Sequence, residues 1–141
     1  MNKNKIQSEI INYITSSNKT NFLEILTNNK SDIESIINLE ILLNHLNVKY
    51  IPYIDFDSIH DITDDTNHHI LIINDYDQYI SDHRFPIRDY VRKSLREQLV
   101  YLHRKNNELK KPLKIIFISL NEEDLYSLKE SPFIKSIIFD N

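Results

Sequence analysis

The sequence predicts an α/β fold in which a mostly parallel sheet of about four strands lies between layers of helices. Two strongly apolar segments, at 69–74 and 113–119, are typical of strands that are buried on both faces. Between them, residues 86–108 carry apolar side chains at helical spacing. Because strand and helix patterns alternate from residue 48 onwards, we expect right-handed crossovers and a three-layer, Rossmann-like arrangement.

Three helices are predicted before the first strand. Ile residues recur at helical spacing over 4–16, and a short apolar cluster at 22–26 favours a second helix. Ser31 and Glu34 have the spacing of a capping box, so a third helix is expected over 32–47. N-terminal helices should therefore precede the sheet-forming part.

The remaining elements form the sheet and the helices that cover it. The segment from Val48 to Phe56 is rich in β-branched and aromatic residues, and Pro52 favours a place at the edge of the sheet. Further strands are predicted at 69–74, 113–119 and 134–139, with helices at 86–108 and 121–129. Since no repeat or linker interrupts the chain, residues 1–141 are expected to form one domain, helical over 1–47 and sheet-forming over 48–141.

The composition excludes several kinds of chemistry. Hydrophobic residues make up 40% and charged residues 27%, which is typical of a globular chain with a sizeable core. The sequence has no Cys, and this excludes disulfides, a thiolate nucleophile and a Cys-ligated zinc site. Gly, Ala and Trp are also absent while Ile, Asn and Lys are abundant, a bias that indicates an AT-rich genome.

No targeting or membrane segment is recognisable in the sequence. The start of the chain lacks the apolar core of a signal peptide, and no apolar run approaches the ~20 residues of a membrane-spanning helix. We therefore expect a protein of the cytoplasm or of an organelle interior, without membrane insertion.

Charge is strongly segregated along the chain, although the net charge is only −4. Residues 50–82 contain eight Asp and no Lys or Arg, which gives −8. Residues 83–114 contain ten Lys or Arg and three acidic residues, which gives +7. The two segments are therefore candidate contact surfaces of opposite sign.

The absence of Gly bears directly on nucleotide binding. A phosphate-binding loop needs Gly so that backbone N–H groups can approach the phosphates, and it needs a Lys for the β- and γ-phosphates. A chain without Gly has neither an intact loop of this kind nor a Gly-rich dinucleotide turn. We therefore expect no cofactor.

Two strand patterns nevertheless carry a family resemblance. Residues 69–75 are an apolar run followed by Asn74 and Asp75, and residues 115–121 are an apolar run that contains Ser119 and ends in Asn121. The first looks like a Walker B strand and the second is similar to the sensor strand of AAA-type ATPases. The resemblance implies an ATPase-like core that is degenerate, since the phosphate-binding loop is missing.

A finer resemblance covers about 33–141. Asp75-Tyr76, an Arg-rich helix and strands that end at Ser119 and Asp140 follow one another in this part of the chain. This order is similar to the amino-terminal, non-ATPase domain of a hypothetical AAA protein family of algal plastids and cyanobacteria. It implies an ATPase-like fold without ATPase activity.

Two Asp-x-Asp pairs lie at expected strand ends, Asp55 with Asp57 and Asp75 with Asp77. Ligands of parallel α/β folds bind beyond the carboxyl ends of the strands, and paired carboxylates there can hold Mg²⁺. The pairs indicate a divalent-metal phosphohydrolase or nuclease as an alternative function. Asp is also a common turn residue at strand ends, which is the simpler interpretation.

Four arginines, Arg84, Arg88, Arg92 and Arg96, recur every four residues. On a helix they form one stripe that flanks the apolar face. The stripe is suited to an acidic protein surface or to the phosphates of a nucleic acid. Pairing with acidic residues of the same chain is the interpretation without a binding function.

Together these patterns favour a non-catalytic protein-binding module, either an ATPase-like domain without the phosphate-binding loop or a small regulator or assembly subunit. A protein is the expected partner and the Arg stripe the expected contact, with no catalytic residues. Nucleic-acid binding by the same stripe and metal-dependent hydrolysis by the Asp pairs are the alternatives.

Overall fold

The computed structural model describes residues 3–15, 21–52, 70–74, 87–109, 112–120 and 132–140, and over 87–96 it describes the path of the backbone. These ranges contain three helices and five strands. The helices are α1 (Lys3–Thr15), α2 (Lys30–Asn44) and α3 (Ile87–Glu108). The strands are β1 (Phe22–Thr27), β2 (Val48–Pro52), β3 (Ile70–Asn74), β4 (Lys114–Leu120) and β5 (Ile134–Phe139).

The five strands form one parallel sheet in the order β2-β3-β4-β1-β5. In the register of this sheet, Leu23 of β1 lies between Ile116 of β4 and Lys135 of β5. β2 lies at one end of the sheet, as Pro52 predicts, because a proline in a central strand would remove a ladder hydrogen bond.

Helices cover both faces of the sheet. The Ile residues of α1 and α2 pack on one face, and Leu99 and Leu102 of α3 pack on the other face against Phe22, Leu71 and Phe117. The predicted three-layer, Rossmann-like α/β class is therefore confirmed. Within the described ranges, no helix is both long and apolar enough to cross a membrane.

The interior strand β1 corrects the prediction of a helix at 22–26. Phe22 packs on the α3 side of the sheet, while Leu23 and Ile25 pack on the side of α1 and α2. Six residues are too few for a stable helix but suffice for a strand that is paired on both edges. The apolar residues of this segment serve two opposite faces, so the sheet has a fifth strand.

The ends of α2 also differ from the prediction. The N-cap is Asn29, whose side chain accepts a hydrogen bond from Asp32 N–H, so the helix begins earlier than a cap at Ser31 would allow. The Ser31 hydroxyl donates to Asn29 Oδ1 instead. At the other end, His45 adopts φ 52°, the left-handed conformation that glycine usually provides after a helix.

Two side chains attach helices to the amino edge of the sheet, where β4 begins. The Tyr13 hydroxyl oxygen of α1 accepts a hydrogen bond of 2.9 Å from Ile115 N–H. The same hydroxyl can donate its proton to either of two backbone oxygens, Ile115 O at 3.0 Å or Asn21 O at 2.8 Å. Asn106 of α3 is hydrogen-bonded to the backbone of Leu113. Both contacts hold a helix against the start of β4.

Candidate functional site

The topology creates a crevice at the carboxyl edge of the sheet. After β1 the chain moves along the sheet in one direction, past β4 and β3 to β2. After β4 it moves in the opposite direction, past β1 to β5. Neighbouring strands whose outgoing connections run in opposite directions along the sheet form a topological switch point, the usual ligand site of parallel α/β folds. This point lies between the ends of β1 and β4, where Leu26 pairs with Ser119 and Thr27 with Leu120.

A two-residue turn, Asn28-Asn29, connects β1 to α2 at this crevice. Asn29 N–H donates to Thr27 Oγ1 over 2.9 Å. Asn29 Oδ1 accepts from Asp32 N–H at 3.2 Å and from the Ser31 hydroxyl at 2.9 Å, and Asn29 Nδ2 donates to Asp32 Oδ2 at 2.9 Å. The turn is therefore closed by local hydrogen bonds, in which nearby side-chain oxygens accept from the backbone N–H groups of Asn29 and Asp32.

This turn follows β1, an interior strand of the sheet, and its hydrogen bonds bear on whether it could bind phosphate. A phosphate cradle needs several backbone N–H groups that are directed at the ligand. Here the N–H groups of Asn29 and Asp32 already have side-chain acceptors. The Asp32 carboxylate in the first turn of α2 also adds a negative charge that repels an anion.

Two polar side chains are buried on the α3 side of the sheet, below the crevice. Glu24 of β1 is fully buried and its Oε1 accepts a hydrogen bond of 2.7 Å from the Ser136 hydroxyl. Ser119, which the resemblance identifies as a possible sensor residue, is also buried. The other sensor candidate, Asn121, lies outside the described residues. A buried carboxylate needs such donors, so Glu24 and Ser136 have a structural role.

The positions of Arg88, Arg92 and Arg96 lie in the first half of α3. At 3.6 residues per turn, position 92 lies about 20° around the helix from Leu99, and position 88 lies about five turns before Asn106. Leu99 and Asn106 are both buried. These arginine positions therefore continue the side of α3 that faces the sheet. Arg84 lies outside the described residues.

The metal hypothesis is based on Asp55, Asp57, Asp75 and Asp77, which lie outside the described residues. In the part of the chain that the structure describes, no group of three or more His, Asp or Glu side chains could hold a metal ion. Metal-dependent hydrolysis by the four Asp residues therefore stays a prediction.

Sequence reasoning did not identify several polar residues that organise the fold. Asn29 could have been found, because Asn29 and Asp32 have the same i,i+3 spacing as the predicted Ser31–Glu34 box. No local pattern marks Tyr13, whose partner Ile115 is 102 residues away. Contacts at that separation follow from the fold and not from a motif.

Comparison with solved structures gives the class of fold, which is AAA/P-loop-like. The chain is similar to a DNA replication initiation factor with a TM-score of 0.50 and 15% identity, over 94% of this chain and 44% of that chain. It is similar to AMPPCP-bound DnaA from Aquifex aeolicus with a TM-score of 0.51 and 13% identity, over 97% and 47% of the two chains. It is also similar to a replication initiator DnaA bound to AMPPCP and single-stranded DNA, with a TM-score of 0.53 and 14% identity, over 99% of this chain and 48% of that chain.

At these identities the likeness shows the fold alone. The chain spans about half the length of the solved chains that it matches. Neither a protein-family model nor a curated protein matches its sequence. The ATPase-like core that the strands at 69–75 and 115–121 imply is therefore confirmed as a fold.

Proposed function

We propose that this chain is a non-catalytic protein-binding module with an AAA/P-loop-like fold and without a phosphate-binding loop. The observation that carries the proposal is the closed turn between β1 and α2. Its two residues cannot surround a phosphate, and Asn29 uses its own side chain to cap the helix that would otherwise receive one.

The loss of the cradle also removes the basis for metal–nucleotide catalysis. Mg²⁺ in such sites is held largely through the phosphates of the nucleotide, so a chain without a phosphate site has little to position the ion. What the fold still provides is a rigid sheet and a long basic helix, which are suited to binding another macromolecule. The proposed contact residues are Arg84, Arg88, Arg92 and Arg96.

A second candidate is binding of nucleic acid through the same helix. One structural neighbour is a replication initiator bound to single-stranded DNA, and the segment 83–114 has a net charge of +7 from ten Lys or Arg and three acidic residues. Such binding would weaken steeply with salt, because the phosphates release counterions when they meet the arginines. Protein binding is preferred, because a protein surface can match both the basic segment 83–114 and the acidic segment 50–82, whereas a nucleic acid backbone is negatively charged throughout.

The finer family assignment is part of this proposal. The resemblance to the non-ATPase domain of a plastid and cyanobacterial AAA family supports a module that acts by binding, in the cytoplasm or in an organelle interior. A small regulator or a subunit of a larger assembly would both fit that description.

Two measurements test the proposed function. The first is a thermal-shift titration with ATP and Mg²⁺, in which we expect no stabilisation, whereas a ligand at 100 times its Kd would stabilise the fold by about 2.7 kcal/mol. A saturable rise in Tm would contradict the proposal.

The second measurement is affinity purification of the tagged chain from its source cells, with and without nuclease treatment. We expect one stoichiometric protein that stays bound after nuclease treatment. Loss of all bound protein upon nuclease treatment, or recovery of nucleic acid alone, would favour the second candidate.

A further inference from the structure

The helix α2 carries apolar side chains on more than one side. Ile33, Ile36 and Ile37 are buried against the sheet. Leu39 and Leu43, by contrast, are 48% and 66% exposed. At 3.6 residues per turn, these two leucines lie about a quarter turn around the helix from the buried side. A helix that is apolar beyond the side facing its own core is typical of a helix that a further partner covers.

The two exposed leucines, named here the leucine face, are neighbours on the surface. Leu39 and Leu43 are four residues apart on one helix, so their Cβ atoms are about 6 Å from each other. The other large apolar side chains that are exposed among the described residues are Val100 of α3 and Ile138 of β5, each on a different element. Single exposed apolar residues are common on protein surfaces, whereas adjacent ones more often mark a contact.

The surface around the leucine face has almost no charge. Over residues 35–48, Glu40 is the only Asp, Glu, Lys or Arg of the sequence, and it is buried. The exposed residues Ser35, Asn38 and Asn47 are polar but uncharged. The buried centres of protein–protein interfaces are depleted of charged residues in the same way. The composition of this part of α2 therefore suits an interface.

A second copy of this chain meets the electrostatic requirement of such a contact. A two-fold axis brings each residue near its own copy, so a charged face would repel itself. With the axis close to residue 41, Leu39 of one copy lies beside Leu43 of the other. Glu34, the nearest charged residue of α2 that is not buried, is then about 10 Å along the helix from the axis, and its two copies are about 20 Å apart. This separation exceeds the Debye length of about 8 Å, so their repulsion is screened.

The leucine face also has a suitable shape for packing on itself. Leu39 and Leu43 belong to a row of residues spaced by four, and such rows interlock when two helices cross at about 50° with axes about 8–10 Å apart. The contact is small, because a stable complex buries about 800 Å² per partner and two leucines supply a part of that area. We therefore expect a dimer that dissociates on dilution.

We infer that the leucine face of α2 binds the same face of a second copy and so forms a weak dimer with two-fold symmetry. The two α2 helices are antiparallel, and Leu39 of each copy packs against Leu43 of the other. This inference goes beyond the proposed function, because each copy of the dimer can still bind a different protein elsewhere on its surface.

Sedimentation equilibrium of the whole chain tests the inference over about 1 to 500 μM, the range in which weak complexes dissociate. We expect the average mass to rise from one chain towards two. Leu43→Glu should weaken the dimer at least about tenfold, because a charge is then buried at the contact. The matched control, Val100→Glu, makes the same kind of change on the exposed side of α3 and should alter the Kd less than about twofold.

The absence of Cys allows a second test by cross-linking. Under mild oxidation, a mixture of Leu39→Cys and Leu43→Cys should form disulfide-linked dimers at least about tenfold faster than Val100→Cys, because a disulfide requires Cα atoms within about 7 Å. Circular dichroism checks folding, which glutamate favours as a good helix former. If Leu43→Glu does not fold, Leu43→Ala takes its place.

Three outcomes would overturn the inference. A chain that stays monomeric at the highest concentration forms no such dimer. Equal effects of Leu43→Glu and Val100→Glu would exclude a contact at the leucine face. If the wild type is monomeric and a co-purified protein is lost from Leu43→Glu, the leucine face binds that protein, and the proposed function stands without the dimer. Stabilisation by ATP would contradict the proposed function and leave the dimer unaffected.

Discussion

The side chain of Asn106 and the backbone of Leu113 exchange two hydrogen bonds, each 2.9 Å long, between the end of α3 and the start of β4. The primary amide offers an N–H and a C=O in the arrangement of a peptide group, so Asn106 acts like a residue of a neighbouring strand. Both residues are buried. The helix end and the strand start are thereby held together, which sets where α3 lies along the sheet.

Replacing Asn106 with Ala should strongly destabilise the fold. The N–H and C=O of Leu113 would lose these partners while buried, and each such loss costs about 1–3 kcal/mol. We expect the free energy of unfolding in urea to fall by about 2–4 kcal/mol with an unchanged m value. Asn12→Ala, at an exposed position of α1, is the control and should change stability by less than about 0.5 kcal/mol. Similar losses in the two variants would refute the structural role of Asn106.

The turn between β1 and α2 can be tested by comparing two neighbouring side chains. Asn29→Ala removes the N-cap and should cost about 1 kcal/mol of unfolding free energy. Ser31→Ala removes a hydroxyl that donates to Asn29 Oδ1 and should cost less than about 0.5 kcal/mol. Chemical denaturation of both variants checks the order. If Ser31→Ala proved the more harmful, the capping box expected from the sequence would be the better description.

The Tyr13 hydroxyl predicts a dependence of stability on alkaline pH. Burial raises the pKa of Tyr13 above its ordinary value, although the hydrogen bond from the Ile115 backbone acts in the opposite direction. The folded protein therefore holds this proton more tightly than the unfolded chain. The contribution of the protonated Tyr13 hydroxyl to the free energy of unfolding is complete below pH 10 and is lost as the pH rises above 10.

Lys114 acts in the opposite direction over the same pH range. Its Nζ lies 5.3 Å from the centre of the Tyr13 ring, and burial lowers the pKa of Lys114. The unfolded chain holds this proton more tightly, so stability from this group increases as the pH rises towards the ordinary lysine pKa. Comparison of variants at one pH removes the lysine contribution, because Lys114 is present in all of them.

Tyr13→Phe should reduce the free energy of unfolding at pH 7 by about 1–3 kcal/mol, because buried backbone groups at the start of β4 lose a partner. The difference from the wild type should then narrow as the pH rises above 10, since only the wild type carries the titrating hydroxyl. Urea unfolding at pH 7, 9, 10 and 11 measures this difference. Asn106→Ala is the control without titration, and its difference from the wild type should stay constant. A Tyr13→Phe difference that widens with pH would contradict the sign argued here.

Ser136→Ala should show how much the buried Glu24 depends on its hydroxyl donor. A buried polar group that loses its hydrogen-bond partner costs about 1–3 kcal/mol, so we expect a loss of about 2 kcal/mol in unfolding free energy. Ser35→Ala, which removes an exposed hydroxyl bonded to Ser31 O, is the control and should be close to neutral. Equal and small effects would mean that Ser136 contributes little to holding Glu24.

Periodicity predicted the long elements well. The helix expected at 86–108 is α3 (Ile87–Glu108), the segment at 69–74 contains β3 (Ile70–Asn74), and the segment at 113–119 matches β4 (Lys114–Leu120) to within one residue at each end. Long patterns are reliable because many residues must agree before a helix or buried strand is inferred. The segment at 22–26 is short, and its apolar residues serve two faces, so local spacing alone did not distinguish a strand from a helix.

The candidate site was predicted in part. The lack of Gly already excluded an intact phosphate-binding loop, and the structure adds that Asn29 and Asp32 close the turn where that loop would lie. The Arg stripe was visible as a repeat of four. Positions 88, 92 and 96 of this repeat lie on α3, and its role in binding stays a prediction.

By itself, the sequence determined the alternation of helices and buried strands, the segregation of charge and the exclusion of chemistry that needs Gly or Cys. These properties follow from residue types and their spacing along the chain. Only the tertiary structure decided that residues 22–27 form an interior strand paired on both edges and that the Tyr13 hydroxyl is hydrogen-bonded to the backbone of Ile115. The physical reason is that a strand and a buried hydroxyl are stabilised by partners far away in sequence, as Tyr13 and Ile115 show with a separation of 102 residues.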